Sequence, residues 1–236
     1  MLAIGGFSEP GSDTSRLPLL IAHALELSGA AVPRVCLVNT ASGDDPASYL
    51  RQYSRLSQLG TRVSHLQLFP MPNVADTEEL LLSQDVIFVG GGSVANLAAV
   101  WRVHGLDAIM RKAWEAGVVL SGVSAGAICW FAGGTTDSFG PQLRPFTAGL
   151  RFLAGSYCPH YSSEPTRRPT YQALVAEGTL AGGIACDDGA AAHFAGDTLA
   201  EIVTDSPEAV AYRVEPDGNG GSSEQPLPGR LLPGSG

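Results

Sequence analysis

Val118-Val119-Leu120-Ser121-Gly122-Val123-Ser124-Ala125-Gly126-Ala127-Ile128-Cys129-Trp130 runs from an apolar stretch into a serine hemmed in by glycines, then into small residues and a second apolar stretch. The apolar start reads as a strand ending at Ser121-Gly122, and the segment from Ala125 onward reads as a helix whose first turn is made of small residues. Gly-x-Ser-x-Gly between a strand and a helix is the signature of a nucleophile elbow, where a sharp turn leaves no room for bulky neighbours and projects the hydroxyl of Ser124 from the sheet edge. The N–H of Ala125 then points toward a substrate oxygen, with a favourable partial positive charge from the helix start. The alternative is a small-residue turn with no chemistry.

Outward from the elbow, short apolar runs alternate with longer helix-like segments, the pattern of a parallel sheet covered by helices. Upstream, Asp85 to Val89 is a buried strand running into Gly90-Gly91-Gly92, and 94–116 is helical with an interruption at Gly105. Further upstream, Leu2 to Gly5 reads as a strand entering a Gly/Ser-rich turn, 14–29 as a helix, and Arg34 to Asn39 as a strand. Residues 46–59 read as a helix ending at Gly60, Arg62 to Phe69 as a strand stopped by Pro70-Met71-Pro72, and Asp76 to Leu82 as a short helix. Downstream, 132–156 reads as loop with short irregular strands, 169–177 as a helix, and 183–185 and 190–194 as strands. Leu199 to Val203 and Ala209 to Val214 read as a closing hairpin. The expected fold is α/β, a doubly wound, mostly parallel sheet with helices on both faces, in one domain over 1–215. The Pro, Gly and Ser content after Glu215 predicts a flexible tail over 216–236.

A serine nucleophile needs a base, and the histidines are His23, His65, His104, His160 and His193. His23 and His104 fall in helical stretches and His65 in a strand. His160, in Tyr157-Cys158-Pro159-His160-Tyr161, stands in an irregular segment of the kind that carries functional side chains; His193 is the reserve. An acid must orient the base. Asp137 and Glu164 compete for that role, and Asp187-Asp188-Gly189 is a third acidic spot, although Asp-Gly most often marks a turn. Gly90-Gly91-Gly92 ends a neighbouring strand, where it permits a close backbone approach and a second oxyanion donor. It lacks the Lys-Ser/Thr of a P-loop and the Gly-x-Gly-x-x-Gly spacing.

Val89-Gly90-Gly91-Gly92-Ser93, Gly122-Val123-Ser124-Ala125-Gly126-Ala127, Thr135-Thr136-Asp137 and Pro159-His160-Tyr161 together resemble the peptidase E family of serine peptidases. That family also contains the cyanophycinases and has a sheet related to that of class I glutamine amidotransferases. The resemblance runs from Gly5 to about Val214. It implies Ser124 as nucleophile, His160 as base, an oxyanion hole from Gly92 and Ala125, and an acid shortly after the nucleophile, for which Asp137 fits best and Glu164 stays in contention. Familiar members release N-terminal aspartate from dipeptides. Arg167 and Arg168 are the candidates for holding a substrate carboxylate, but the surrounding Glu164-Pro165-Thr166-Arg167-Arg168 departs from the aspartyl-dipeptidase pattern.

Composition narrows the partners. A chain of 236 residues with 44% hydrophobic and 16% charged residues describes a globular protein. With a net charge of −9 and 14 Lys and Arg in all, nucleic acid is not an expected partner. No apolar run reaches the length of a membrane span, and the start of the chain lacks a signal-like pattern, so the expected address is cytoplasmic. Cys36, Cys129, Cys158 and Cys186 form no Cys-x-x-Cys pair and read as buried thiols. No His/Cys/carboxylate spacing suggests a metal, and no cofactor is expected. The reading is therefore a serine peptidase acting on short peptides through an acyl-enzyme, with aspartyl peptides as one substrate class. The rivals are an amidase or esterase of other specificity, and a non-catalytic ligand-binding protein on the same fold. The apolar face of the helix at 94–110 suits either a homo-oligomer contact or core.

Overall fold

The computed structural model describes residues 1–7 and 19–234. In chain order the elements are β1 (Leu2–Ile4), α1 (Leu19–Glu26), β2 (Arg34–Val38), α2 (Pro46–Ser57), β3 (Arg62–Leu66), α3 (Thr77–Leu82) and β4 (Val86–Val89). Then come α4 (Val94–His104), α5 (Leu106–Glu115), β5 (Val119–Val123), α6 (Ala125–Ile128), β6 (Gly133–Thr136), β7 (Arg144–Phe146) and β8 (Ser156–Cys158). The last are α7 (Arg167–Ala176), β9 (Gly183–Cys186), β10 (Ala190–Ala195), β11 (Thr198–Thr204), β12 (Ala211–Pro216), β13 (Ser222–Leu227) and β14 (Gly229–Leu231). The Gly/Ser-rich turn after Gly5 and the expected first turn of the 14–29 helix fall largely outside the described residues.

Local chemistry sets many of these boundaries. Asp45 accepts from the N–H groups of Ala47 and Ser48 ahead of Pro46 at the first helical position of α2; Asp76 and Ser93 cap α3 and α4 in the same way. Gly105 takes a left-handed conformation (φ 69°) that ends α4 and starts α5, so the interruption read in the sequence is a C-cap.

The main sheet has eight strands in the order β14-β11-β10-β1-β5-β4-β2-β3, and β1, β5, β4, β2 and β3 are mutually parallel. Alternation along the central strands divides their side chains between two cores. Val35 and Leu37, with Val86 and Phe88, pack with α1 and α2, whereas Cys36 and Val38, with Ile87 and Val89, pack with the α3 to α6 side. Because both faces are covered, these strands are continuously apolar. On that second side Trp101 is fully buried and donates its Nε1–H to Thr40 Oγ1 at 3.1 Å, tying α4 to a 3₁₀ turn at Thr40–Ser42. Truncating it to alanine would cost about 3–5 kcal/mol. Among the described residues no helix is long and apolar enough to cross a membrane.

A second sheet of six strands, β13-β12-β9-β8-β6-β7, holds parallel β6, β8 and β9 at its centre. Two sequence expectations change here. The hairpin read at 199–203 and 209–214 does not form: β11 folds back on β10 across Gly196-Asp197, with Ala195 opposite Thr198, while β12 pairs with β9 in the other sheet. Gly196 at φ 60° supplies the positive φ that a two-residue hairpin turn requires. The tail read as flexible is also structured. β13 pairs with β12 along its whole length, β14 runs parallel to β11, and Leu232 is buried. Its apolar content is low, as the composition says, but edge pairing satisfies its backbone, and Glu224 ties it down by accepting from Tyr161, Arg168 and Gln172.

Candidate active site

Ser124 follows β5 with φ 55° and ψ −116°, a conformation that a residue with a side chain rarely adopts. Non-glycine residues held there store strain, and such strain concentrates at functional positions. The surrounding glycines show what enforces the turn. A Cβ on Gly122 would overlap Gly126 O, and one on Gly126 would overlap Val89 O, so strand, elbow and helix are in backbone contact. α6 is only one turn long, so the N–H groups that open it matter more than any helix dipole. The N–H of Ala125 has no helical carbonyl behind it to bond.

Gly90-Gly91-Gly92 lies against this elbow. Gly91 is the residue that touches the serine: a Cβ there would stand 3.4 Å from Ser124 Cβ and 4.0 Å from Oγ. Gly92 has φ 135° and its Cα faces Ala41 O, so this loop is packed onto the 3₁₀ turn at Thr40–Ser42. The N–H of Gly90 donates to Val38 O at 3.0 Å and that of Ser93 to Ala41 O at 2.8 Å. Among the described residues no acceptor takes the N–H groups of Gly91 and Gly92 between them.

His160 lies just beyond the carboxyl end of β8 and Asp188 just beyond that of the adjacent parallel strand β9. Their side chains meet, His160 Nδ1 to Asp188 Oδ1 at 2.6 Å. His160 is also held at positive φ, 52°. Burial pushes the Asp188 carboxyl up, but hydrogen bonds from His160 and Ser163 and the charges of His160 and Arg167 outweigh it, and the group lies below the ordinary carboxylate range.

The carboxyl end of β1 joins the two halves. Ser124 N–H donates to Ile4 O at 3.1 Å, and two residues later Gly6 bridges to Asp188 and accepts from Gly189 N–H at 3.0 Å. A Cβ on Gly6 would overlap Asp188 Oδ1 and stand 2.7 Å from His160 Nδ1. Serine and histidine thus reach one sheet edge from two sheets, with no hydrogen bond between Ser124 Oγ and His160 among the described residues. Such contacts commonly close only when substrate binds.

Of the acids read from the sequence, the structure brings only Asp188 to His160. Asp137 is exposed, and no described residue bonds its carboxylate. Glu164 is turned to Arg167, accepting from Nε at 2.8 Å. Asp188-Gly189 both makes the turn that its sequence signals and carries the acid beside the base: Gly189 sits at φ 82°, and the parallel pairing of β8 and β9 puts the aspartate beside the histidine. Gly6 was not singled out; the Gly5-Gly6 pair at the end of the first strand was the available signal.

Both arginines have partners within the fold. Arg167 is 3% exposed and donates to Thr135 O at 3.1 Å besides Glu164, so it is an internal clamp whose charge acts on Asp188. Arg168 is paired with Glu224 and stacks over the rings of Tyr161 and Tyr212, at 5.3 and 5.0 Å from their centroids. His193 lies in β10 opposite Leu2, away from this edge. All four cysteines are buried and unpaired, and burial pushes the thiols of Cys36, Cys158 and Cys186 up to about 12, which leaves them unreactive.

The model of Peptidase family S51 matches residues 1–202. The uncharacterized peptidase YgaJ of Bacillus subtilis (strain 168) is 45% identical over 210 residues, covering 89% of this chain and 88% of that one. Among solved structures, a peptidase from an acI-B1 Actinobacterium superposes with a TM-score of 0.66 at 18% identity, over 97% of this chain and 93% of that one. A peptidase E protein from Listeria monocytogenes EGD-e superposes with a TM-score of 0.59 at 18% identity, over 90% and 96%. At that identity the two structures speak for the fold, whereas the family model and YgaJ speak for ancestry, and on them the chain is a member of peptidase family S51.

Proposed function

We propose that this protein is a serine peptidase of short peptides in which Ser124 is the nucleophile, His160 the base, Asp188 the acid that orients it, and Gly92 and Ala125 the oxyanion donors. The observation that carries the reading is the His160–Asp188 hydrogen bond at the same sheet edge as the strained Ser124. With Asp188 accepting from Nδ1–H, the imidazole presents a bare Nε2. That atom takes the proton as Ser124 Oγ attacks the peptide carbonyl and gives it to the departing amine when the C–N bond breaks. Water, deprotonated by the same Nε2, then cleaves the acyl-enzyme and releases the carboxylic acid and the serine hydroxyl.

A preference for aspartyl peptides comes from the family resemblance, and Arg167 and Arg168, which would have carried it, are committed elsewhere. The space beside the glycine loop favours a different side chain. A cavity of about 270 Å³ is lined by Gly90, Gly91, Phe7, Val123, Leu37 and Phe88, and on the α2 side by Ser48, Arg51, Gln52 and Arg55. An apolar residue next to the scissile bond suits the sheet face of that lining, formed by Leu37, Phe88 and Val123.

The test is cleavage of a mixed short-peptide library read by mass spectrometry, with Ser124→Ala and His160→Ala in parallel. Labelling of Ser124 by a fluorophosphonate probe is the second readout. Cleavage that both substitutions abolish, enriched in apolar residues at one position, supports the reading. Release of N-terminal Asp alone would overturn the apolar preference and keep the peptidase. An unlabelled Ser124 with no cleavage would favour a binding protein on this fold, and labelling without peptide cleavage would favour an amidase or esterase.

A further inference from the structure

Away from the catalytic edge, α1 lays His23 against the outer strands of the main sheet. Its ring meets that of His193 on β10 edge to face, centroids 5.9 Å apart. Glu201 of β11 is the cross-strand partner of His193 and brings Oε1 to 3.5 Å from its Nδ1. One ligand atom from each of His23, His193 and Glu201 lies within 4.8 Å of the other two.

Among the described residues, two of the nitrogens here make no hydrogen bond. His23 is only 7% exposed, yet its Nε2 is buried with no hydrogen bond, and His193 Nδ1 is in the same condition. A buried polar atom without a partner calls for an explanation. His23 Nδ1 faces Glu26 Oε2 at 3.5 Å. An imidazole that presents Nδ1–H to a carboxylate keeps a bare lone pair at Nε2, the tautomer a metal-bound histidine uses. The third donor is held as well, since Arg230 grips the Glu201 carboxylate through Nε at 2.8 Å and Nη2 at 2.9 Å.

We propose that His23, His193 and Glu201 form a divalent transition-metal site, of the zinc class, that pins α1 to β10 and β11. Two imidazoles and one carboxylate match the donor set of Zn²⁺, with solvent completing the tetrahedron; Mg²⁺ and Ca²⁺, which take oxygen ligands, do not suit it. His193 pairs with Leu2 at the start of β1, whereas the catalytic groups gather beyond the end of that strand at Gly6. The metal therefore sits apart from the catalytic edge, and its binding does not depend on the peptidase chemistry.

The test uses the full chain without an affinity tag, stripped with a chelator and titrated with Co²⁺, whose ligand-field absorption reports a four- or five-coordinate site, then with Zn²⁺ in competition. The expected result is one equivalent bound by the wild type and by Ser124→Ala, with affinity at least about tenfold lower in His23→Gln, His193→Gln and Glu201→Gln. Zn²⁺ should raise the Tm of the wild type and leave those three variants unmoved. Absence of saturable binding by the wild type, or binding that Glu201→Gln and His23→Gln leave intact, overturns the proposal. Should a histidine variant fail to fold, Glu201→Gln on its partly exposed strand decides the question alone.

Discussion

Asp188→Asn should separate the carboxylate that the structure sets beside His160 from Asp137 and Glu164, the other two acids read in the sequence. Asn has nearly the same shape, so it keeps the contact with Gly6, but it no longer offers a charge to His160 when the ring becomes an imidazolium. The pair is partly buried, 24% exposed at His160 and 28% at Asp188, with Nδ1 and Oδ1 2.6 Å apart. Charge centres about 4 Å apart at an effective dielectric near 20 interact by about 4 kcal/mol. Since every 1.4 kcal/mol or so is a decade in rate, kcat should fall about 10³-fold with KM little changed. The assay is initial-rate hydrolysis of the best library peptide, with circular dichroism to show an unchanged fold. Asp137→Ala, on an exposed side chain, and Glu164→Gln should stay within about threefold of wild type, as surface changes do. If Asp188→Asn keeps kcat within about tenfold of wild type, or Asp137→Ala loses as much as it does, the assignment of the acid fails.

Gly91→Ala should fold with an unchanged Tm, because its Cβ would make ordinary contact with Ser124 at 3.4 Å, yet lose most activity by occupying the space of the substrate carbonyl; steady-state kinetics beside thermal melts check this. Gly126→Ala should instead lower stability by about 3 kcal/mol in urea unfolding, since its Cβ overlaps the Val89 backbone, which cannot give way. Glu224→Ala should free β13 from Tyr161, Arg168 and Gln172, seen as faster amide hydrogen exchange at 222–227 with slower change at β4 and β5. The Arg34 guanidinium holds the Asp85 carboxyl below its ordinary range. The folded pKa is the lower one, so the stabilisation is complete above the unfolded value of about 4 and is lost as pH falls through the folded value. The Tm gap between wild type and Asp85→Asn should accordingly be widest near neutral pH and close in acid.

Signals that act over a few residues were readable in the sequence. The elbow at Gly122 to Gly126 and the Gly90-Gly91-Gly92 loop after a buried strand were among them, because glycine demand and strand-to-helix turns are local sterics. The continuous apolar runs of β2, β4 and β5 announced a sheet covered on both faces for the same reason. Pairing between distant segments was not readable, because a strand's own residues do not name its neighbour. That is why nothing in the segment at 199–203 announces its pairing with β10, and why the composition of 216–236 hides two strands that borrow their order from β12 and β11.

The site divides along the same line. By itself the sequence singled out Ser124 and His160 as candidates, each by a local pattern. Only the tertiary structure placed Asp188, rather than Asp137 or Glu164, beside His160, by setting β8 beside β9 in parallel so that the residues after both strands meet. It likewise showed Arg167 and Arg168 each paired with a carboxylate, and gathered His23, His193 and Glu201 from three elements with no metal-binding spacing in the chain. The reason is physical: backbone sterics act between adjacent residues and leave a motif, whereas charge pairing and ligand geometry act through space.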